Sequence, residues 1–387
     1  MKDDTQETGR HRRYFQYAVF ALTALLVVSL GFVFIPRQPP PPAVPPFSEQ
    51  ARAAAFADSL TLRAAGLDLE GTAGATAPAP QAAALARVVT LLTVQARALM
   101  LPADAGGSSA RDAAAATSTA QLTLTPPSTA ADFAAALQAS GAQRLRDAET
   151  ADGGMARLLA GAGTAQLLAA GDLTSATGIE LAALPGAGSS SPASPAPSSP
   201  SAASPAASPA ASCAGGAAVA DASAGANPGS AFASAVAGEL ELVYAYQAAL
   251  TRLKPGSAAA ASDFLAQHRA LRDEAEAMAS SRCAAAPLRQ PGYALSQEFL
   301  ADPAAVLGTL EARTLPVLGD VVALSDGRER IWALSALQSA ALRTVYWGAS
   351  PGPVPGMVLD ETLLPPLPEP VSAPGTSTTS GPSPGNS

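Results

Sequence analysis

Apolar residues recur along much of this chain at intervals of three and four, the spacing that lines one face of an α-helix. The clearest run is Leu85, Val88, Val89, Leu92, Gln95, Ala96 and Leu99. Before the Pro/Ser tract the pattern predicts four helices, over about 48–66, 80–101, 129–150 and 153–170. After it, four more are predicted over about 229–252, 257–281, 302–324 and 328–348. Asp132, after Ser128 and Thr129, suits a helix start, and Gly153-Gly154 separates the third helix from the fourth. Asp302-Pro303 combines a capping side chain with a proline at the first helical position. Pro316 lies inside the helix predicted over 302–324 and should kink it.

One apolar run is of a different kind. Tyr17–Ile35 contains 19 residues without a charge, just enough to cross a bilayer core of roughly 30 Å. Lys2, Arg10, Arg12 and Arg13 precede it, and only Arg37 and Arg52 follow closely. The positive-inside rule therefore predicts a single-pass anchor, with the N-terminus (1–16) cytoplasmic and the bulk extracytoplasmic. A cleaved signal peptide is the rival reading, but no small-residue cleavage site follows Phe32-Val33-Phe34-Ile35-Pro36.

The segments between are marked by proline. Residues 36–47 form a stiff Pro-rich spacer. The Pro/Ser/Ala composition of 185–228 cannot build a core and reads as a linker. Residues 349–387 read as a disordered tail. This leaves a degenerate helical unit at 48–184 and a second unit at 229–348. In the second, the Lys254-Pro255-Gly256 turn, a long Pro-containing crossover and the Ser325-Asp326-Gly327 turn follow one another. Short loop, long crossover, short loop is the connectivity of a ferritin-like up-down bundle. The expected fold is all-α: one membrane helix, then two four-helix units.

Composition narrows the chemistry. Only 14% of the 387 residues are charged, with 23 Lys+Arg against 31 Asp+Glu, a net charge of −8. That balance argues against a nucleic-acid partner. Alanine accounts for about a quarter of the chain, so a hydrophobic fraction of 48% does not imply a large core. With two His and two Cys, zinc-finger arrays and Cys-ligated clusters are excluded. Neither a Gly-rich phosphate loop nor a G-x-S-x-G elbow stands out, since Gly161-Ala-Gly163 lies within a helical run. Cys213 and Cys283 both fall on the predicted extracytoplasmic side, and a disulfide between them is expected. It would close a loop of about 70 residues, contributing around 4 kcal/mol in the chain-entropy model.

Glu239-Leu-Glu-Leu-Val-Tyr244-Ala-Tyr246, Gln267-His268-Arg269-Ala-Leu-Arg272-Asp273, Leu310-Glu311-Ala-Arg313 and Ala341-Leu-Arg343-Thr-Val-Tyr346-Trp347 together resemble the ferritin-like DUF4439 domain of actinobacteria. The resemblance covers about 230–348. It implies a fold and little chemistry, the family's function being uncharacterised. Residues 80–171 resemble the degenerate helical part that precedes such domains.

Di-iron bundles draw a Glu from each of two helices and Glu-x-x-His from each of the others. Here Leu265 stands three residues before His268, and the other histidine, His11, is on the predicted cytoplasmic side, so a two-His di-iron centre is excluded. Helical angles nevertheless turn Glu239 to the face of Phe232, Val236, Val243 and Tyr246, and His268 to that of Phe264, Leu271 and Met278. Glu311 shares a stripe with Leu307, Thr314 and Leu318. Convergence of Glu239, His268 and Glu311 has two readings. One is an incomplete metal site, for which iron, manganese or zinc are the candidate ions. The other is a buried Glu–His or Glu–Arg network, with Arg272 and Arg343 as partners. Tyr244, Tyr246, Tyr346 and Trp347 read as core. Catalytic residues are not indicated. The favoured expectation is a non-catalytic binding or scaffolding module of the cell envelope, with a metal or redox protein as alternative. An envelope protein or a small ligand bound between the two units would be its partner, and a homodimer is compatible with the fold.

Overall fold

The computed structural model describes residues 14–26, 44–73, 78–101, 127–178, 226–285 and 287–367. They are helical, without a β-strand among the described residues. The chain divides into Met1–Pro45 and Pro46–Ser387. In the first part, α1 (Tyr14–Leu26) covers the start of the predicted anchor. Residues 27–35 of that anchor, 36–43 of the spacer, 179–184 of the first helical unit, 185–225 of the linker and the tail beyond 367 lie outside the described residues.

The second part carries α2 (Phe47–Ala73), α3 (Ala79–Leu99), α4 (Ala130–Thr150), α5 (Gly153–Thr177), α6 (Pro228–Leu250), α7 (Pro255–Ser281), the short α8 (Gln297–Ala301), α9 (Pro303–Leu324) and α10 (Gly327–Tyr346). Local signals set most ends. Thr129 caps α4 by accepting from the Asp132 N–H at 3.1 Å, and Asp302 caps α9 by accepting from Ala305 N–H at 3.2 Å. Asn227 and Ser230 form a reciprocal capping box on α6. Helix α9 continues past Pro316. At the end of α7, the Ala284 N–H reaches the Ala279 carbonyl and the Cys283 N–H reaches Ser280, both at 3.0 Å. Cys283 takes φ 54°, a left-handed position that glycine usually holds. Cys283 is not a free thiol, while its expected partner Cys213 lies outside the described residues.

Both quartets pair their helices alike. In the first, α2 packs on α3 and α4, and α5 packs on α4 and α3. In the second, α6 packs on α7 and α9, and α10 packs on α9 and α7. The quartets are not insulated from each other. One buried cluster draws Phe56, Leu99 and Leu159 from the first and Phe232, Leu318 and Leu337 from the second. Among the described residues one helix, α3, is long and apolar enough to cross a membrane. Its Leu85, Val88 and Leu92 are buried against the other helices of its quartet, and its Leu99 in the cluster that both quartets share.

Small residues set how near the backbones come. A Cβ on Gly141 would stand 2.8 Å from the Gly163 carbonyl oxygen, and one on Gly163 would stand 2.7 Å from that of Gly141. The Gly161-Ala-Gly163 segment is thus a packing surface of α5. Arginines then close the polar ends. Arg330, on α10, donates to the Ala151 carbonyl at 2.6 Å just past the end of α4.

For residues 349–367 the expectation of a disordered tail is corrected. Residues 349–367 form a strap over both quartets, with Val354 buried and Leu367 packed on the shared core. Gln95 donates to the Pro353 carbonyl at 3.0 Å, Arg157 to Gly356 at 2.6 Å, and Arg97 to Leu364 at 2.6 Å and Pro365 at 3.0 Å. Arg157 also pairs with Asp320 at 2.5 Å. Composition hid the strap because it is held through its carbonyls, which every residue type carries.

A side chain at Gly319 would collide with the Gly356 carbonyl under this strap, and one at Gly161 with Val354 and Pro355. Gly319→Ala and Gly161→Ala should each cost about 1–3 kcal/mol by overpacking, lowering the midpoint in thermal unfolding followed by circular dichroism. Gly71→Ala, whose Cβ would meet nothing within 4 Å, should leave the midpoint unchanged or raise it.

Candidate functional site

Four helices each bring one charged side chain to the middle of the second quartet. Glu239 comes from α6, His268 from α7, Glu311 from α9 and Arg343 from α10; none is more than 4% exposed. The three residues selected by helical periodicity do converge, and they bond to one another. His268 Nδ1 lies 2.7 Å from Glu239 Oε2, and His268 Nε2 lies 2.8 Å from Glu311 Oε1. Arg343 Nε donates to both Glu311 oxygens at 3.0 and 3.1 Å, and its Nη1 reaches Gln267 at 3.4 Å. Tyr246 Oη donates to Glu311 Oε1 at 2.6 Å and accepts from the Trp347 indole N–H at 2.7 Å.

The bonding determines protonation. A neutral imidazole has one N–H and one lone pair, so it can satisfy only one of two flanking carboxylates. With a carboxylate on each nitrogen, His268 is an imidazolium. Two carboxylates, one imidazolium and one guanidinium then sum to zero charge. Burial opposes the charge on His268, but hydrogen bonds to Glu239 and Glu311 outweigh it and raise its pKa above the ordinary 6.5. Burial likewise works against the Glu311 carboxylate, but the His268 hydrogen bond and the Arg343 charge hold its pKa below 4.5. Tyr246 is pushed far up, by burial first and then by the charge of Glu311, so it remains a phenol and a donor.

A metal ion does not fit this arrangement. Both His268 nitrogens are engaged by carboxylates, and the Arg343 guanidinium occupies the cationic position beside Glu311. Among the described residues, no group of three or more His, Cys, Asp or Glu is arranged to hold a metal. The geometry is the second of the two sequence readings, a buried Glu–His–Arg network. Of the two arginines considered as partners, Arg343 takes part, whereas Arg272 pairs with its neighbour Asp273 at 2.6 Å on the surface. Tyr246 and Trp347 were read only as core. The signal for Tyr246 was its place seven residues after Glu239, two helical turns along the same face.

A cleft of about 110 Å³ between α6 and α9 reaches this network from outside. Gly238, Glu239, Glu241, Arg313 and Thr314 line it. Glu241 and Arg313 approach each other at 3.5 Å across its exposed edge.

Removing one member should leave its partners charged and buried. His268→Ala should therefore destabilise the protein by about 3–5 kcal/mol in denaturant unfolding. The pH dependence follows from the two shifts. The raised His268 contributes stability that is complete below about pH 6.5 and is lost as pH rises through its folded pKa. The lowered Glu311 contributes stability present above about pH 4.5 and lost as pH falls through its folded pKa. Denaturant midpoints should accordingly be highest between about pH 4.5 and 6.5. In His268→Ala the decline above that window should flatten.

Comparison with known proteins bears on this same region. Residues 231–359 match the model of a family described as Domain of unknown function (DUF4439). The match takes in α6–α10, all four charged residues of the network and the first part of the strap. No curated protein and no solved structure matches the chain.

Proposed function

We propose that this is a membrane-anchored, extracytoplasmic protein whose helical body is a non-catalytic binding or scaffolding module of the cell envelope. The observation that carries the non-catalytic part is His268, held by a carboxylate at each ring nitrogen with Arg343 completing the charge balance. A general acid or base needs a proton it can exchange with a substrate, and a metal needs open donor atoms. In this network both His268 nitrogens are already bonded, and Glu311 is held by His268, Tyr246 and Arg343. On this reading the four-helix unit is ferritin-like in topology, with an internal ion network where metal-binding relatives of that architecture place metal. The preceding quartet is its companion unit.

Support for the anchor is the uncharged Tyr17–Ile35 run and the arginines before it. On an oxidising face of the membrane, Cys213 and Cys283 form the disulfide, tying the linker to the end of α7.

Elemental analysis of the purified full-length protein tests the central claim. Iron, manganese and zinc should be well below one per chain, in the wild type and in His268→Ala alike. One metal per chain that disappears in His268→Ala would establish the metal or redox alternative instead. Peptide mapping without reduction should recover Cys213 and Cys283 in one cross-linked pair, and an alkylated Cys213 peptide would refute the bridge.

A further inference from the structure

A second cavity, of about 390 Å³, opens between α5 and α10, where the two quartets meet. Its size lies within the range of small-molecule sites, whose linings are mainly apolar with a few placed polar groups. Leu167 and Leu168 on one side and Leu342 and Val345 on the other make it aliphatic, with no aromatic lining. Leu342 is 59% exposed and Val345 47%, so apolar surface is left in water at this seam. The space beside Gly171 on the α5 side is open, since a Cβ there would meet nothing within 4 Å.

The polar groups are more telling. Thr164 lines the groove, is 2% exposed, and its hydroxyl has no hydrogen-bond partner. Other buried helical threonines return their hydroxyls to the preceding turn, as Thr344 does to Ala340 at 2.8 Å and Thr314 to Glu311 at 2.8 Å. An unmade bond in such a place is unfavourable unless a guest completes it. The lining contains no Lys or Arg. The nearby Arg87 is committed to the lining residue Asp172 at 2.7 Å. An anionic head group would therefore meet an ion pair that is already neutral at one end of the groove and an uncharged hydroxyl at the other. From Thr164 to Ser175 the groove follows α5 for eleven residues, roughly 16 Å of helix.

We propose that this groove binds a neutral single-chain amphiphile of the monoacylglycerol type. The aliphatic chain lies along Leu168, Leu342 and Val345, and a hydroxyl or ester oxygen of the head group completes the bond to Thr164. This rests on reading the helical body as a binding module, and it names the chemistry of the ligand. Anionic fatty acids of equal chain length are selected against because the groove's lining holds no Lys or Arg to pair with them, and Arg87 is already paired with Asp172.

The test uses full-length protein in phospholipid nanodiscs and a diazirine-bearing monolauroylglycerol, with cross-linked peptides mapped by mass spectrometry. The label should fall on the α5 segment 164–175 and the α10 segment 338–345. Unlabelled monolauroylglycerol should compete about tenfold better than laurate, the ratio set by roughly 1.4 kcal/mol of selectivity. Gly171→Leu should fill the groove and reduce labelling about tenfold, with its unfolding midpoint kept. Thr164→Val should weaken labelling while raising the midpoint, because it removes an unpaired hydroxyl. Labelling elsewhere, labelling unaffected by Gly171→Leu, or equal competition by laurate would overturn the proposal. Those outcomes leave metal content unchanged, so the groove and the non-catalytic reading fail independently.

Discussion

Four ionised side chains in the middle of an alanine-rich bundle impose the constraint on which the second quartet depends. A lone buried charge is costly by many kcal/mol, and a buried pair is tolerable only with good geometry and satisfied hydrogen bonds. Glu239, His268, Glu311 and Arg343 meet that requirement by coming one from each helix and summing to neutrality. The consequence is a fixed register. If any helix slid by one turn, about 5.4 Å, its charge would leave the network and strand the others. Aliphatic contacts between alanine-rich faces specify register poorly, since one alanine replaces another with little change in shape. The ionic network supplies the discrimination that the apolar residues lack. The Arg343 Nη2 group is buried there without a hydrogen-bond partner.

Elsewhere, backbone approach takes the place of large side chains. Glycines face one another at the α4–α5 crossing, and Gly161 and Gly319 let the strap lie directly against α5 and α9. Arg97, Arg157 and Arg330 then bind main-chain carbonyls that helix ends and the strap expose. These arginines join segments far apart in sequence. Arg157 alone links α5 to α9 and to the strap. They explain how two quartets separated by a long Pro/Ser linker share one core.

The two cavities differ in kind. The cleft beside Glu239 ends on a network whose opposite charges already face one another. The groove at the α5–α10 seam combines exposed aliphatic surface with a buried hydroxyl that has no partner. It lies apart from the charged residues that draw attention in the sequence.

Periodicity alone located nearly every helix, because apolar spacing and capping residues act over a few positions: Thr129 and Asp302 cap as their neighbours suggested. It also turned Glu239, His268 and Glu311 inward, since a residue's face on a helix depends only on its phase. The fragments around them resemble the family whose model residues 231–359 match. What phase could not supply was rotation and distance between helices. A metal site and an ion network need the same three residues on the same faces. They differ by a few ångströms and by Arg343, which arrives from another helix. The strap was invisible for a related reason, as main-chain carbonyls leave no trace in composition. The groove exists only where α5 and α10, more than 150 residues apart, come together. Local rules act within one helix, whereas hydrogen-bond partners and cavities are set by how helices pack, and that required the tertiary structure.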